Sequence, residues 1–167
     1  MNSKLLRKAI VPLLATASLA NASGAFAADV VAKVRVTSLG KIVVDGKAKS
    51  AYFFDLDKAN SGTSACSAAC AANWPAITSS TVKPHVSGIS AKVGTIPGPK
   101  GSHQVTINGR PIYTFAFDKV PGDVKGEGAQ GLWYVISPLG REIKALKVAA
   151  KASSAPTKAS TYGRSNY

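Results

Sequence analysis

Among the carboxylates, thiols and imidazoles of this sequence, six side chains are the leading candidates to carry chemistry: Asp57, Cys66, Cys70, His85, His103 and Asp118. Two thiolates with an imidazole suit zinc or copper(I), and a pair of facing carboxylates suits acid–base hydrolysis. No G-x-S-x-G or H-E-x-x-H motif adds a nucleophile or a zinc-bound water. The cysteines and the aspartates are therefore the candidates whose positions matter.

Cys66 and Cys70 are the only two cysteines and lie four positions apart. In an oxidising, exported compartment this spacing is within bridging range, so the sequence predicts a structural disulfide. A zinc or copper(I) site completed by His85 or His103 is the first alternative, and a redox-active dithiol is the second. The Cys-x-x-Cys spacing of thioredoxin-like proteins is absent.

The two aspartates belong to a motif, Tyr-x-Phe-x-x-Asp-Lys, that occurs twice about sixty residues apart and is closed each time by a lone tryptophan. Each aspartate begins a glycine-containing loop, and we expect it to accept two or more backbone N–H groups of that loop. Catalysis by carboxylates that pseudo-symmetry brings together is the alternative. The motif residues are Tyr52, Asp57 and Trp74 in the first copy and Tyr113, Asp118 and Trp133 in the second.

Alternating large side chains in both copies predict two strands, each with one buried face. The side chains predicted to be buried are Tyr52, Phe54 and Leu56 in the first copy and Tyr113, Phe115 and Phe117 in the second. We expect the tyrosines and tryptophans in the core, and an aromatic platform for a sugar ring is the alternative.

Apolar alternation and turn residues indicate the remaining elements. A helix is expected from Ser64, its cap, to Asn73, because alanine dominates there and Trp74-Pro75 ends it. Asn108-Gly109 predicts a two-residue hairpin turn, and the G-x-G-x-x-G match at residues 126–131 precedes a strand and so indicates a tight loop. Strands are expected at residues 30–36, 41–44, 52–56, 103–107, 110–115 and 132–136, and residues 78–101 are expected to connect the repeats.

These elements predict a mainly β fold: a small sandwich or partly closed barrel built from two pseudo-symmetric repeats, with one short helix. Repeat 1 covers about residues 38–78 and repeat 2 about residues 101–141, within a domain of residues 28–148. Two copies that face each other would bury aromatic surfaces that neither copy could bury alone.

Both ends of the chain differ from this domain. Residues 1–27 have a basic start, an apolar stretch and a signal-peptidase pattern at Ala25-Phe26-Ala27, which predicts export to the periplasm or medium. Removing them lowers the net charge from +13 to +10, because they carry three basic residues and no acidic one. Residues 149–167 are predicted to be a disordered basic tail that attracts anionic envelope surfaces. Neither nucleic acid as a partner nor a transmembrane segment is expected.

Several motifs lie at spacings typical of one family. They are Ser64-x-Cys66-x3-Cys70-Ala71-x2-Trp74-Pro75, and Gly109-Arg110-Pro111-Ile112-Tyr113 followed by Gly126-x-Gly128 and Trp133-Tyr134. On these motifs the chain resembles the bacterial secreted repeat proteins of unknown function, often lipoproteins, over about residues 38–141. The resemblance implies an exported, repeat-built domain and transfers no catalytic residue. No cysteine stands near the predicted cleavage site, so a lipid anchor is not expected.

The sequence therefore predicts an exported, non-enzymatic binding or envelope-associated module with an unknown ligand and no cofactor. Two alternatives from other classes stay open. One is a periplasmic metal-binding protein that uses Cys66 and Cys70, and the other is a cell-envelope hydrolase that uses Asp57 and Asp118.

Overall fold

The computed structural model describes residues 30–144, so the predicted signal peptide and basic tail lie outside the described residues. The described part is mainly β, as predicted, and none of its helices is long and apolar enough to cross a membrane. Its strands are β1 Ala32–Thr37, β2 Gly40–Asp45, β3 Tyr52–Phe54, β4 Thr78–Ser79, β5 Val86–Ser87, β6 Val93–Pro97, β7 His103–Ile107, β8 Arg110–Pro111, β9 Trp133–Ile136 and β10 Glu142–Ile143, and its α-helix is α1 Ala68–Asn73.

The strands form three small sheets. β1 pairs with β2 antiparallel and with β5 parallel, while β9 lies between β3 and β10. β7 pairs with β6 on one side and with β4 and β8 on the other. Across residues 30–144 the sheets do not close into a barrel, which leaves a sandwich-like packing as the form of the predicted fold.

The two repeats meet at a reciprocal backbone bridge between Tyr52 and Tyr113. The Tyr52 N–H donates to the Tyr113 carbonyl at 2.8 Å, and the Tyr113 N–H donates to the Tyr52 carbonyl at 3.1 Å. This bridge is antiparallel, so the two motif segments run away from it in opposite directions. The motif of each repeat therefore ends beside the other repeat.

Two hydrophobic clusters lie on opposite faces of β2, because successive side chains of a strand point to opposite sides. Val43 joins an aliphatic cluster, whereas Ile42 and Val44 join an aromatic cluster. The aromatic cluster draws on both repeats through Tyr52, Phe54, Trp74, Tyr113 and Trp133. Phe53, which alternation places away from the core, is buried in the aliphatic cluster, because β3 is covered on both faces.

The prediction that Leu56 and Phe117 face the core is wrong. β3 ends at Phe54, and the Leu56 and Phe117 side chains are 57% and 55% exposed. The chain turns directly after Phe54, where the Asp57 N–H donates to the Phe54 carbonyl at 3.0 Å, and the second repeat makes the same turn. The turn breaks the alternation of faces, so the next apolar side chain points to solvent.

Two other predicted strands differ from the prediction, one in its length and one in its pattern of burial. β8 covers Arg110–Pro111 rather than residues 110–115, and Tyr113 makes isolated bridges to Tyr52 and Ala76. The apolar alternation predicted for residues 30–36 also fails at Val36, whose side chain is exposed because it lies beside the tip of the β1–β2 hairpin. The Asn108-Gly109 hairpin is present with the predicted turn between β7 and β8.

The helix and the connection between the repeats also differ from the prediction. α1 begins at Ala68 with Ser67 as its N-cap, four residues after the predicted start, because Ser64 bonds elsewhere. Residues 78–101 are more than a connection, since they contain β6, which pairs with β7 over five residues despite Gly94 and the terminal Pro97. The second repeat therefore begins with a β6–β7 hairpin, as the first begins with β1–β2.

Candidate functional site

The two repeat aspartates are buried, and each is bound by the tyrosine of the other repeat. The Tyr113 hydroxyl donates to Asp57 Oδ2 at 2.6 Å, and the Tyr52 hydroxyl donates to Asp118 Oδ2 at 2.7 Å. We call Asp57 with Tyr113 the open pair and Asp118 with Tyr52 the closed pair. The side chains are crossed because the antiparallel bridge carries each motif into the other repeat.

Each carboxylate also accepts one backbone N–H. The Ala65 N–H donates to Asp57 at 2.6 Å, and the Lys125 N–H donates to Asp118 at 3.0 Å. The expectation of two or more backbone donors is therefore wrong, because a tyrosine hydroxyl from the opposite repeat takes the second position. Asp57 and Asp118 therefore belong to two separate hydrogen-bonded pairs, each with its own tyrosine.

Burial controls protonation in both pairs. It raises the pKa of the Asp57 and Asp118 carboxyls above the ordinary value, and the bonds from tyrosine and backbone oppose that rise. Burial, followed by the neighbouring carboxylate, also raises the pKa of Tyr52 and Tyr113, which keeps both phenols neutral. Each tyrosine is therefore a fixed proton donor in a hydrogen bond, not a group that titrates near neutral pH.

Four aromatic rings form one stacked column through the aromatic cluster. The Trp74 and Trp133 ring centroids lie 3.7 Å apart with planes 1° from parallel. Phe115 stacks on Trp74 and Phe54 stacks on Trp133, each at 4.3 Å between centroids. Because both faces of both indoles are covered, neither tryptophan offers a platform for a sugar ring.

The open and closed pairs differ in what contacts the tyrosine hydroxyl. At the closed pair the Gly126 N–H donates directly to the Tyr52 hydroxyl at 3.3 Å. At the open pair the Ser64 side chain lies between the Tyr113 hydroxyl and the backbone. Its hydroxyl bonds to the Tyr113 hydroxyl at 2.7 Å and accepts the Cys66 N–H at 3.0 Å. The serine moves the backbone away from Tyr113 and leaves space beside it.

Gly126 seals the closed pair because it has no side chain. A Cβ at this position would lie 2.8 Å from Trp74 Cη2 and 3.0 Å from Tyr52 Cε1. Leu39 from the β1–β2 turn and Val124 pack on the same aromatic cluster. The closed pair is thereby covered by backbone and apolar side chains, and Asp118 is fully buried.

A groove of about 840 Å³ opens beside the open pair. Its first wall is α1, which presents Ala68 and Ala71, and its second wall is the β6–β7 turn with Pro97 and Pro99. Its volume lies in the range of small-molecule sites, about 300 to 1,000 Å³. Its polar or aromatic floor is formed by Ser64, Trp74, Gln104 and Tyr113.

Cys66 and Cys70 lie at disulfide distance along the same wall, with Cα atoms 5.2 Å apart. The bridge joins α1 to the segment just before it and is therefore a local link. The bond between the Ser64 and Tyr113 hydroxyls is the longer-range contact of this segment. Within residues 30–144 no three His, Cys, Asp or Glu side chains gather into a group that could hold a metal ion.

Sequence reasoning missed the polar residues of the groove. Ser64 was assigned to a helix cap, and Gln104, whose Nε2 donates to the Ile112 carbonyl at 3.3 Å, carried no motif. The sequence did contain one signal of this difference. The residue directly before the backbone donor to the aspartate is Ser64 in the first copy and Val124 in the second. A polar residue in one repeat against an apolar residue in the other marks the difference between the pairs.

Arg110 is a second missed residue, and it positions the end of β3. Its guanidinium donates to Glu142 at 2.6 Å and to the Phe54 carbonyl at 2.9 Å, and it lies 4.3 Å from the Phe53 ring centroid. These contacts hold the chain where it turns toward Asp57. Arg110 therefore supports the open pair without contacting the groove.

The crossed pairs join two segments that comparison with known families also picks out. A family model described as a secreted repeat of unknown function matches residues 33–78 and residues 94–137, one match in each repeat. No curated protein and no solved structure matches the chain. Since the two matches together span more than half of the 167 residues, the chain belongs to this family of secreted repeats.

Proposed function

We propose that this exported protein is a non-enzymatic binding module that holds its ligand in the groove beside the open pair. One observation carries the proposal: two repeats with the same buried motif have diverged at its edge. Gly126 seals the closed pair, whereas Ser64 and the β6–β7 turn leave the open pair beside a groove. If both pairs served stability alone, we would expect the open pair to be covered as the closed pair is.

The groove supplies a binding surface rather than acid–base chemistry. Among residues 30–144, its lining contains no carboxylate and no imidazole, and its cysteines lie at disulfide distance. Asp57 lies behind Tyr113 and is 5% exposed, and the raised pKa of Tyr113 leaves that phenol neutral. A lining of this kind selects a ligand by shape and apolar contact.

The periplasm and the medium are both suitable compartments. The predicted signal peptide directs export, and an oxidising compartment suits the bridged cysteines. Without the three basic residues of the predicted signal peptide the net charge of +13 falls to +10, which favours association with anionic envelope surfaces, an attraction that salt weakens. We place that contact on the predicted basic tail, residues 149–167, and the ligand in the groove.

Native mass spectrometry of the mature protein, purified from its own compartment, tests this function. We expect an adduct that is released on unfolding. Ala71→Phe, which fills the groove from α1, should abolish the adduct, and Ala72→Phe, on the same helix but outside the groove lining, should retain it. An adduct that survives Ala71→Phe, or no adduct in any preparation, would contradict the proposal.

One observation favours a second candidate, a hydrolase. The Ser64, Tyr113 and Asp57 side chains form a hydrogen-bonded chain that reaches the groove. A neutral tyrosine between serine and carboxylate is a poor base, which is why this candidate ranks second. A fluorophosphonate probe, which labels reactive serines, decides between the two candidates. Labelling that is lost in the Ser64→Ala variant would favour a serine hydrolase over the binding module. No labelling of the parent protein would favour the binding module.

A further inference from the structure

The groove is lined mostly by apolar groups and carries one charge. Alanine and proline side chains form both walls, and Trp74 presents the edge of its ring because both of its faces are covered. Lys100, at the tip of the β6–β7 turn, is the one charged side chain that residues 30–144 contribute to the lining. Such a surface favours an apolar ligand, and its charged group can fix the ligand's orientation.

Lys100 has no ion-pair partner among residues 30–144, unlike Lys125 and Lys144, which bind carboxylates. It is exposed at the rim, and its φ of 55° holds it at the tip of a tight turn. The Asp57 carboxylate is buried, accepts the Tyr113 hydroxyl and is not part of the lining. The groove therefore has an unneutralised cation at one end and an apolar body.

The polar atoms of the floor are largely engaged within the protein. Ser64 and Tyr113 bond to each other, Tyr113 donates to Asp57, and Gln104 donates to a backbone carbonyl. A ligand with many hydroxyl or amide groups would lose bonds to water and gain few in return. A sugar or a polar peptide is therefore a poor occupant.

We propose that the ligand class of this groove is a small apolar monoanion: a hydrocarbon chain or ring with one carboxylate, the carboxylate at Lys100 and the apolar body along α1. This assignment rests on the proposed function and names its ligand. The charge complementarity consists of one ion pair, between the Lys100 ammonium and the carboxylate of the ligand. The apolar body supplies most of the affinity through surface removed from water.

Calorimetric titration of the full mature chain with three ten-carbon probes tests the charge requirement. The probes are decanoate, decanol and decyltrimethylammonium, each below its micelle concentration and at physiological salt. We expect decanoate to bind about tenfold more tightly than decanol, as one charge-assisted contact allows, and the cation to bind least. Equal affinity for decanoate and decanol would overturn the assignment.

Matched variants test the place. Ala71→Phe should abolish decanoate binding and Ala72→Phe should preserve it, with thermal melting to show that both fold. Lys100→Asn keeps a residue that accepts positive φ and removes the charge, and it should weaken decanoate about tenfold while leaving decanol unchanged. Lys92→Asn, an exposed lysine outside the groove, should change neither. If Ala68→Phe and Ala71→Phe both fold and both bind decanoate normally, the anion binds elsewhere and the assignment is wrong.

The same variants separate this inference from the function on which it rests. An adduct of another chemical class that Ala71→Phe removes, without decanoate binding, would retain the binding module and overturn the apolar monoanion. Decanoate binding that needs both Lys100 and an open groove supports both. Loss of every adduct and of every probe would contradict both.

Discussion

The open pair and the closed pair are two versions of one arrangement. Both have a buried aspartate, a tyrosine from the opposite repeat and one backbone donor. They diverge where Gly126 contacts Tyr52 directly and Ser64 separates Tyr113 from the backbone. The comparison teaches that two copies of one buried frame can differ at a single edge, where one hydroxyl, that of Ser64, lies beside an open groove in place of a direct backbone contact.

The largest expected effect separates the two aspartates. Asp118→Ala leaves the Tyr52 hydroxyl and the Lys125 N–H unpaired where water cannot enter, so we expect a loss of about 4 kcal/mol in unfolding free energy. Asp57→Ala leaves the Tyr113 hydroxyl and the Ala65 N–H without their acceptor beside the groove, where water can replace the carboxylate. We expect this variant to lose about 2 kcal/mol in unfolding free energy. Urea denaturation of both variants measures the difference. Equal losses would show that the groove does not hydrate the open pair.

Gly126→Ala tests the seal. The new Cβ meets the Trp74 and Tyr52 rings at 2.8 and 3.0 Å, which requires a shift in the aromatic column. Overpacking of this kind costs about 1 to 3 kcal/mol. Gly94→Ala is the matched control, because its Cβ would meet one side-chain atom, Thr106 Oγ1, at 3.3 Å. A Gly126→Ala protein that melts with the parent would mean that the closed pair has spare room.

The bridged cysteines lie only on the open side, so their loss should affect the groove more than the frame. Replacing Cys66 and Cys70 by serine should cost about 2 kcal/mol, because the closed loop is short. The fold should survive, as that loss is smaller than typical domain stability. Calorimetric melting gives the cost, and near-ultraviolet circular dichroism reports on the tryptophan stack. Free thiols in the native exported protein, detected by alkylation without reductant, would contradict the bridge itself.

The smallest expected effect is on pH dependence. Burial raises the pKa of the Asp57 and Asp118 carboxyls in the folded protein above the ordinary value. At pH values between the ordinary carboxyl pKa and the raised pKa, the folded state therefore binds more protons than the unfolded state. Stability should therefore rise as pH falls from 7 toward that window. Asp118→Asn should flatten the dependence more than Asp57→Asn, because the closed pair is drier. Chemical denaturation at pH 5 and pH 7 tests this, and a steeper dependence in Asp118→Asn would contradict it.

Local signals in the sequence were sufficient where neighbours along the chain decide the structure. Asn108-Gly109 predicts its hairpin because the turn geometry depends on those two residues. The repeat itself, and with it the motif tyrosines, aspartates and tryptophans, was also visible. The mainly β fold follows from these short elements.

Contacts between distant residues account for what the sequence did not predict. Alternation continues through Leu56 in the sequence, but Arg110, 56 positions after Phe54, holds the Phe54 carbonyl where the chain turns. Likewise, the donor to each aspartate is a tyrosine 56 or 66 positions away. No local pattern specifies such a partner. The groove depended on the same kind of contact, since Ser64 reaches Tyr113 across 49 positions.

The crossed pairs also set the order in which this chain can fold. During synthesis the first motif is complete at Trp74. Asp57 can bind its tyrosine only after Tyr113 has been made, and Trp74 can stack only after Trp133, close to the end of the domain, has been made. Contacts of such long sequence separation are slow to form, because the entropy of closing the loop comes before any gain from packing. Because both hydrophobic clusters contain residues of both repeats, we expect the partly synthesised chain to remain unfolded until nearly the whole domain has emerged.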